Sequence, residues 1–268
     1  MNKTIFISLA INFFLTSVVH PQVSVIGDLV RERVSNIGET YDGVIYVRNF
    51  SDEARDARVY QTDYLCFSDG SVIYGEPAGQ DPRSNAAWIT YNPHYLTVPP
   101  KEVSEVHYTI TVPADANLTG SYWSMFMVEG VSLEPPSAVT DETGQNVLSI
   151  RHVIRYAIQM VTHIGESGTR AISFLNTELL KEEGTRILQV DIENTGERFM
   201  KLIVWSELYN DEGGFIGRFE GGERRLYPGT SVRYEIDLSE VPEGTYQALV
   251  VADGGGDDIF GINYTMKF

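Results

Sequence analysis

Apolar and polar residues alternate with a period of two along most of this chain, in short runs bounded by Gly, Asp, Asn and Pro. That pattern predicts β-strands joined by turns. The runs occur in the same order twice. Val44-Ile45-Tyr46-Val47 leads to Asn49, and Leu188-Gln189-Val190-Asp191-Ile192 leads to Asn194. Both then pass through a short polar turn, Ser51-Asp52-Glu53 or Thr195-Gly196-Glu197, into another apolar stretch. Further on, Leu96 and Pro99 precede an alternating run from Val106 to Val112, as Leu226 and Pro228 precede one from Val232 to Leu238. Each copy closes alike, with Gly120-Ser121-Tyr122 before Met125-Phe126-Met127-Val128 and Gly244-Thr245-Tyr246 before Leu249-Val250-Val251. No long stretch carries a helical period.

An internal repeat of this kind predicts an all-β protein of two tandem immunoglobulin-like β-sandwich domains. The expected division is a signal peptide over 1–22, a first sandwich over 23–166 and a second over 167–268, with Gly165-Glu166-Ser167-Gly168 as the hinge. The leader is read from Lys3 followed by an uncharged, mostly apolar run from Ile5 to Val19. That run is about 15 residues, shorter than the roughly 20 that span a bilayer. Tyr122 and Tyr246 are candidates for the corner tyrosine of such sandwiches, whose hydroxyl turns back onto nearby backbone. The first copy is longer by a turn-rich segment, roughly Gly70 to Pro93, in which Trp88 reads as a core plug in preference to a ligand platform.

One element stands out. From Leu148 to Ile164 the even positions are largely apolar (Leu148, Ile150, Ile154, Tyr156, Ile158, Met160, Ile164). The odd positions mix Arg151, Arg155, Gln159 and His163 with Val153, Ala157 and Val161. A single strand of this length would extend about 55 Å. An apolar edge so long is an aggregation hazard unless its own domain or a partner chain covers it.

Composition narrows the function classes. Lys and Arg number 20 against 37 Asp and Glu, a net charge of −17, or −18 once Lys3 leaves with the leader. Such a surface repels phosphate backbones and anionic membranes, so neither nucleic acid nor membrane insertion after leader cleavage is expected. Cys66 is the single cysteine, which excludes an intramolecular disulfide and reads as a small buried hydrophobe. His20, His94, His107, His152 and His163 are scattered, and no nucleophile, phosphate-loop or zinc motif is present, so no catalytic residue, metal or cofactor is assigned. The run Asp253-Gly254-Gly255-Gly256-Asp257-Asp258 holds clustered carboxylates but lacks the ligand spacing of a calcium loop.

The layout resembles the two-domain periplasmic chaperones of pilus assembly, the PapD-like type. It rests on Arg33-Val34 ahead of the strand ending at Asn49, on Asn92-Pro93 leading to the run ending at Val112, on Gly120 to Val128, and on the long run 148–164. The resemblance implies an exported, non-enzymatic factor that lends the long strand to a partner polypeptide, a pilin-like or surface subunit. Ile150, Ile154, Tyr156 and Ile158 would contact that partner, and Arg33 and Arg155 would grip its terminal carboxylate in a shared cleft, with Arg151 as the other candidate for the second position. Parts around Trp88, Pro93 and Gly120-Ser121-Tyr122-Trp123 also resemble WxL-interacting bacterial surface proteins, which implies an envelope module for peptidoglycan, glycan or a host protein. Circular dichroism checks the fold: mainly β signal is expected, and helix above about a third, the usual soluble share, contradicts it.

Overall fold

The computed structural model describes residues 23–131, 139–140, 146–147, 153–182 and 184–268; the expected leader lies outside them. The first half contains β1 (Val23–Ile26), β2 (Val30–Ser35), β3 (Thr40–Asn49), β4 (Arg55–Cys66), β5 (Val72–Gly75), β6 (Ile89–Asn92), β7 (Tyr95–Val98), β8 (Val103–Thr111), β9 (Gly120–Val131), β10 (Val139–Thr140), β11 (Asn146–Val147) and β12 (Arg155–Ile164). One sheet runs β1-β3-β8-β6. The facing sheet runs β2-β12-β9-β4-β5, with β7 also on β4, while β10 and β11 form a separate hairpin. The second half contains β13 (Ile172–Glu182), β14 (Thr185–Asn194), β15 (Met200–Asn210), β16 (Phe215–Leu226), β17 (Ser231–Asp237), β18 (Thr245–Asp253) and β19 (Ile259–Lys267). Its sheets run β13-β14-β17 and β16-β15-β18-β19. Each half is a sandwich, because alternating strands bury one face only against a facing sheet. The helical content among the described residues is the single 3-10 turn Ala86–Trp88.

Each sandwich has its own core. Ile45, Val47, Val106, Ile110, Phe126, Val128, Ile158 and Met160 fill the first. Leu188, Val190, Ile192, Leu202, Val204, Tyr234, Ile236 and Val250 fill the second. The repeated runs therefore supply matching inner faces: β3 and β14, β8 and β17, β9 and β18.

The repeated asparagines have one physical role. Asn49 and Asn194 are both fully buried. The Asn49 amide donates to the carbonyl oxygens of Glu53 (2.7 Å) and Val98 (3.0 Å). The Asn194 amide donates to those of Arg198 (2.8 Å) and Leu226 (3.1 Å). In both copies the side-chain oxygen also accepts an amide N–H two residues on, from Ser51 or Gly196. Each clamp closes the polar turn and ties it to the strand end just before Pro99 or Pro228.

The corner tyrosine appears once. Tyr246 donates its hydroxyl to the Pro242 carbonyl at 3.0 Å. Tyr122 differs from the expectation: its ring packs on Trp88 at 4.6 Å between centroids and lies under the Arg83 guanidinium. Trp88 is half-buried against the first core, so it plugs the sandwich.

The sandwiches meet along a stitched junction. Ser121 N donates to Glu197 O at 2.9 Å, and the Arg198 guanidinium donates to the Gly165 and Ser167 carbonyls, each at 2.9 Å. Gly120 has φ +74°, and a Cβ there would lie 2.1 Å from Glu197 O. Only glycine fits that approach. Asn49→Ala takes the amide donor from the buried bond to Val98 O and Asn194→Ala takes it from the Arg198 and Leu226 carbonyls, so each should cost about 1–3 kcal/mol in a urea unfolding curve. A loss below about 0.5 kcal/mol at both sites would contradict the clamp.

Candidate functional site

The cleft between the sandwiches is built on the alternation of β12. Its even residues Ile158 and Met160 point into the first core. Its odd residues point the other way: Val161 packs with Trp123, Phe199 and Tyr227, and the His163 ring lies 6.0 Å from that of Phe199. Trp123 stacks on Tyr227 at 4.8 Å and donates its indole N–H to Tyr64 O at 2.7 Å. These rings join the two halves at the cleft floor, where the Tyr227 hydroxyl donates to Gln159 Oε1. Burial pushes the Tyr227 hydroxyl far up from its ordinary value, so it stays a protonated donor.

Strand β2 runs parallel to β12, with Val161 opposite Glu32, Thr162 opposite Arg33 and His163 opposite Val34. Register partners share a face, so Glu32 and Val34 look into the cleft and Arg33 looks away. Across the cleft, Lys201 and Arg225 are register partners on β15 and β16. Glu32 Oε1 lies 3.6 Å from Lys201 Nζ and 3.9 Å from Arg225 Nη2. Partly exposed pairs at this distance stabilise by less than about 1 kcal/mol each. They place two cations on one carboxylate in an otherwise acidic chain. Exposed Val34 and Ile203 flank the cluster. Behind it, a groove of about 670 Å³ separates the β4–β5 turn from β16 and β17, lined by Cys66, Arg224, Arg225 and Arg233. Cys66 is half-buried there instead of sealed in a core.

The expected site residues are distributed differently. Arg33 pairs with Glu39 at 2.9 Å and lies 4.2 Å over the Tyr41 ring, on the core-side face. Its bond and that from Asn36 N hold the Glu39 carboxyl below its ordinary value, the backbone bond most strongly. Arg155 lies on the cleft face and pairs with Glu129 at 2.9 Å; Glu129 also accepts the Tyr60 hydroxyl at 3.2 Å. The register partner of Arg33 is seven residues from Arg155, about 23 Å of extended strand. The two arginines therefore do not share a cleft, a correction that follows from strand alternation. Ile158 is also corrected: it is fully buried in the first core, where such a side chain contributes about 1.5–3 kcal/mol, and it cannot touch a partner. Tyr156 is half-buried against that core. Ile154 is 41 % exposed. Ile150 and Arg151 lie outside the described residues.

Of the expected long strand, β12 begins only at Arg155, and among the described residues it has an open side. Strand β9 pairs with all of β12, but β2 covers only Gln159 to Ile164. Gln159 N donates to Leu29 O at 2.8 Å across the β2 side. Backbone groups alternate in direction along a strand, so those of Ala157 and Arg155 point to that same side. Among the described residues no strand pairs with them there. Leu29, Val153 and Ile154, which flank this stretch in the two strand-leading segments, are all exposed.

No family model matches the chain, and no curated protein sequence matches it. It is similar to solved structures over most of its length. The Class 5 fimbriae chaperone CfaA is 13 % identical with a TM-score of 0.47, over 91 % of this chain and 98 % of that chain. The chaperone–tip adhesion subunit pre-assembly complex CsuC–CsuE of Acinetobacter baumannii gives 12 %, 0.44, 90 % and 97 %. The E. coli chaperone DraB gives 13 %, 0.41, 91 % and 98 %.

The aromatic floor and the outer charges should separate in mutants. Trp123→Ala removes a buried stacked ring and should cost about 3–5 kcal/mol in a denaturant titration. Arg155→Ala should leave the unfolding midpoint where it is. The reverse order of effects would contradict this division.

Proposed function

We propose that this chain is an exported, non-enzymatic protein-binding factor, a periplasmic chaperone-like protein that holds a partner polypeptide by strand pairing on β12. The observation that carries the reading is that, among the described residues, no strand pairs with the β2 side of Arg155–Ile158. An unpaired edge offers main-chain hydrogen bonds to an extended segment, and side-chain pockets beside it select the sequence. Arg155 and Tyr156 stand on this stretch, Ile154 leads into it, and the run continues in sequence through Ile150. The partner class that fits is a pilin-like or surface subunit with an unsatisfied sheet edge, and the leader read from the sequence accords with a periplasmic setting.

Within this reading the cleft cations come from the second sandwich. Lys201 and Arg225 converge where the family resemblance implied Arg33 and Arg155. One observation favours the other reading, an envelope or surface module for peptidoglycan, glycan or a host protein: the absence of a shared arginine anchor, since Arg33 and Arg155 face opposite ways. The open edge favours the chaperone-like reading.

Proline at 157 separates edge pairing from other modes of binding. Proline is tolerated on an edge whose N–H faces outward, yet it removes that donor and blocks an incoming strand. Ala157→Pro should keep a cooperative thermal transition, and capture of a co-expressed pilin-like subunit should fall about tenfold, or 1.4 kcal/mol. Ile154→Glu should act in the same direction. A folded Ala157→Pro variant that captures as well as the parent would sink the strand-pairing mechanism.

A further inference from the structure

The junction between the sandwiches contains a buried histidine that neither strand pairing nor the cleft cations require. His163, 9 % exposed, places Nδ1 2.8 Å from the Ser121 hydroxyl, itself fully buried. The same oxygen accepts the backbone N–H of Phe199, from the second sandwich, at 2.9 Å. Because Ser121 Oγ takes that N–H with a lone pair, its proton is available to Nδ1. That bond forms when the imidazole is neutral with its own proton on Nε2. A chain of two hydrogen bonds thus runs from β12 through β9 into the start of β15.

From this arrangement we infer that the junction is a pH-responsive latch, closed while His163 is neutral and loosened when it is protonated. A proton added at Nδ1 turns the ring into a donor there. The Ser121 proton loses its acceptor inside a site closed to water, and a buried hydroxyl without a partner is destabilising. The added charge also faces Arg198, which is buried in the turn leading to β15. The charged groups around the ring are Arg198 from that turn, Glu32 from β2, and Glu166 and Arg170 from the connector. Glu32 and Glu166 favour the imidazolium, whereas Arg198 and Arg170 oppose it. Burial is the largest influence and Arg198 the next, and together they hold the ring below its ordinary value of 6.5. A base depressed on folding contributes stability that is complete above its unfolded value and is lost as pH falls through the folded one. The latch therefore opens on the acidic side of 6.5.

The consequence for function rests on the proposed role of the cleft: a loosened junction separates Glu32 from Lys201 and Arg225 and frees the walls between which a partner sits. The latch itself does not depend on that role, so the two are tested separately. Nuclear magnetic resonance of the full chain between about pH 7.5 and 5 reads the latch directly, since that interval brackets histidine titration. The His163 ring should titrate below 6.5. Exchange protection of the Phe199 amide, corrected for intrinsic rate, should fall over the same range. In His163→Asn, whose side-chain oxygen stands near Nδ1 and does not titrate, that protection should stay level. A ring midpoint at or above 6.5, or a Phe199 amide equally protected throughout, would overturn the latch; so would an equal loss in His163→Asn. The ring midpoint comes from the unmodified chain, so the test survives a variant that fails to fold. Capture of a co-expressed pilin-like subunit at each pH is the separate readout: capture absent even at pH about 7.5 counts against the cleft, whereas the ring titration and the Phe199 amide decide the latch.

Discussion

Strand β12 has to be buried on two faces by two different bodies, and that requirement sets the arrangement of everything around it. Ile158 and Met160 need the first core, so β12 must lie inside a sandwich. Val161 and His163, on the opposite face, would be left in water by that sandwich alone. The second sandwich covers them with Phe199 and Tyr227, which fixes where it can sit. Once it sits there, Gly120 must be glycine to admit Glu197 O, Arg198 must reach the connector carbonyls, and Lys201 and Arg225 fall opposite Glu32. The cleft is thus a by-product of covering one strand face.

Among the described residues the same strand is covered along only part of the edge that faces β2. From Gln159 onward β2 closes the ladder, and before it the backbone groups of Arg155 and Ala157 point outward. Soluble proteins usually blunt such an edge with charge or proline. Here Arg155 supplies a charge, but Glu129 draws it aside on the cleft face. In the proposed reading the strand combines a half locked between two cores with a half that takes another strand. A binding surface on a rigid element loses little freedom when a partner docks, which favours affinity.

Much of the fold was legible in the sequence because the repeated runs encode their own inner faces. The period of two placed β3, β8, β9, β14, β17 and β18, and the asparagines after the matching strands do the same work in both copies. Tyr246 behaved as a corner tyrosine, but Tyr122 did not, because Trp88 and Arg83 from the inserted segment occupy its surroundings. The site was less legible. Ala157 and Val161 among the otherwise polar odd positions of β12 were the signal of a second buried face, yet periodicity cannot say which body covers it. The pairing of Arg33 with Arg155 failed on parity: β2 meets β12 in a register that turns Arg33 away and brings Glu32 in. That register depends on long-range packing that no local spacing reveals. Lys201 and Arg225 sit far apart in sequence and come together only through the β15–β16 hairpin.

The central claim is that the outward backbone groups of β12 are where a partner pairs. Amide hydrogen exchange of the full chain, alone and with a co-expressed pilin-like subunit, tests this most directly, because ladder hydrogen bonds slow exchange residue by residue. The account predicts that the amides of Arg155 and Ala157 exchange rapidly in the free chain and become protected in the complex, while those of Tyr156 and Ile158, already bonded to β9, change little. Protection that appears elsewhere and leaves Arg155 and Ala157 exchanging freely would contradict it.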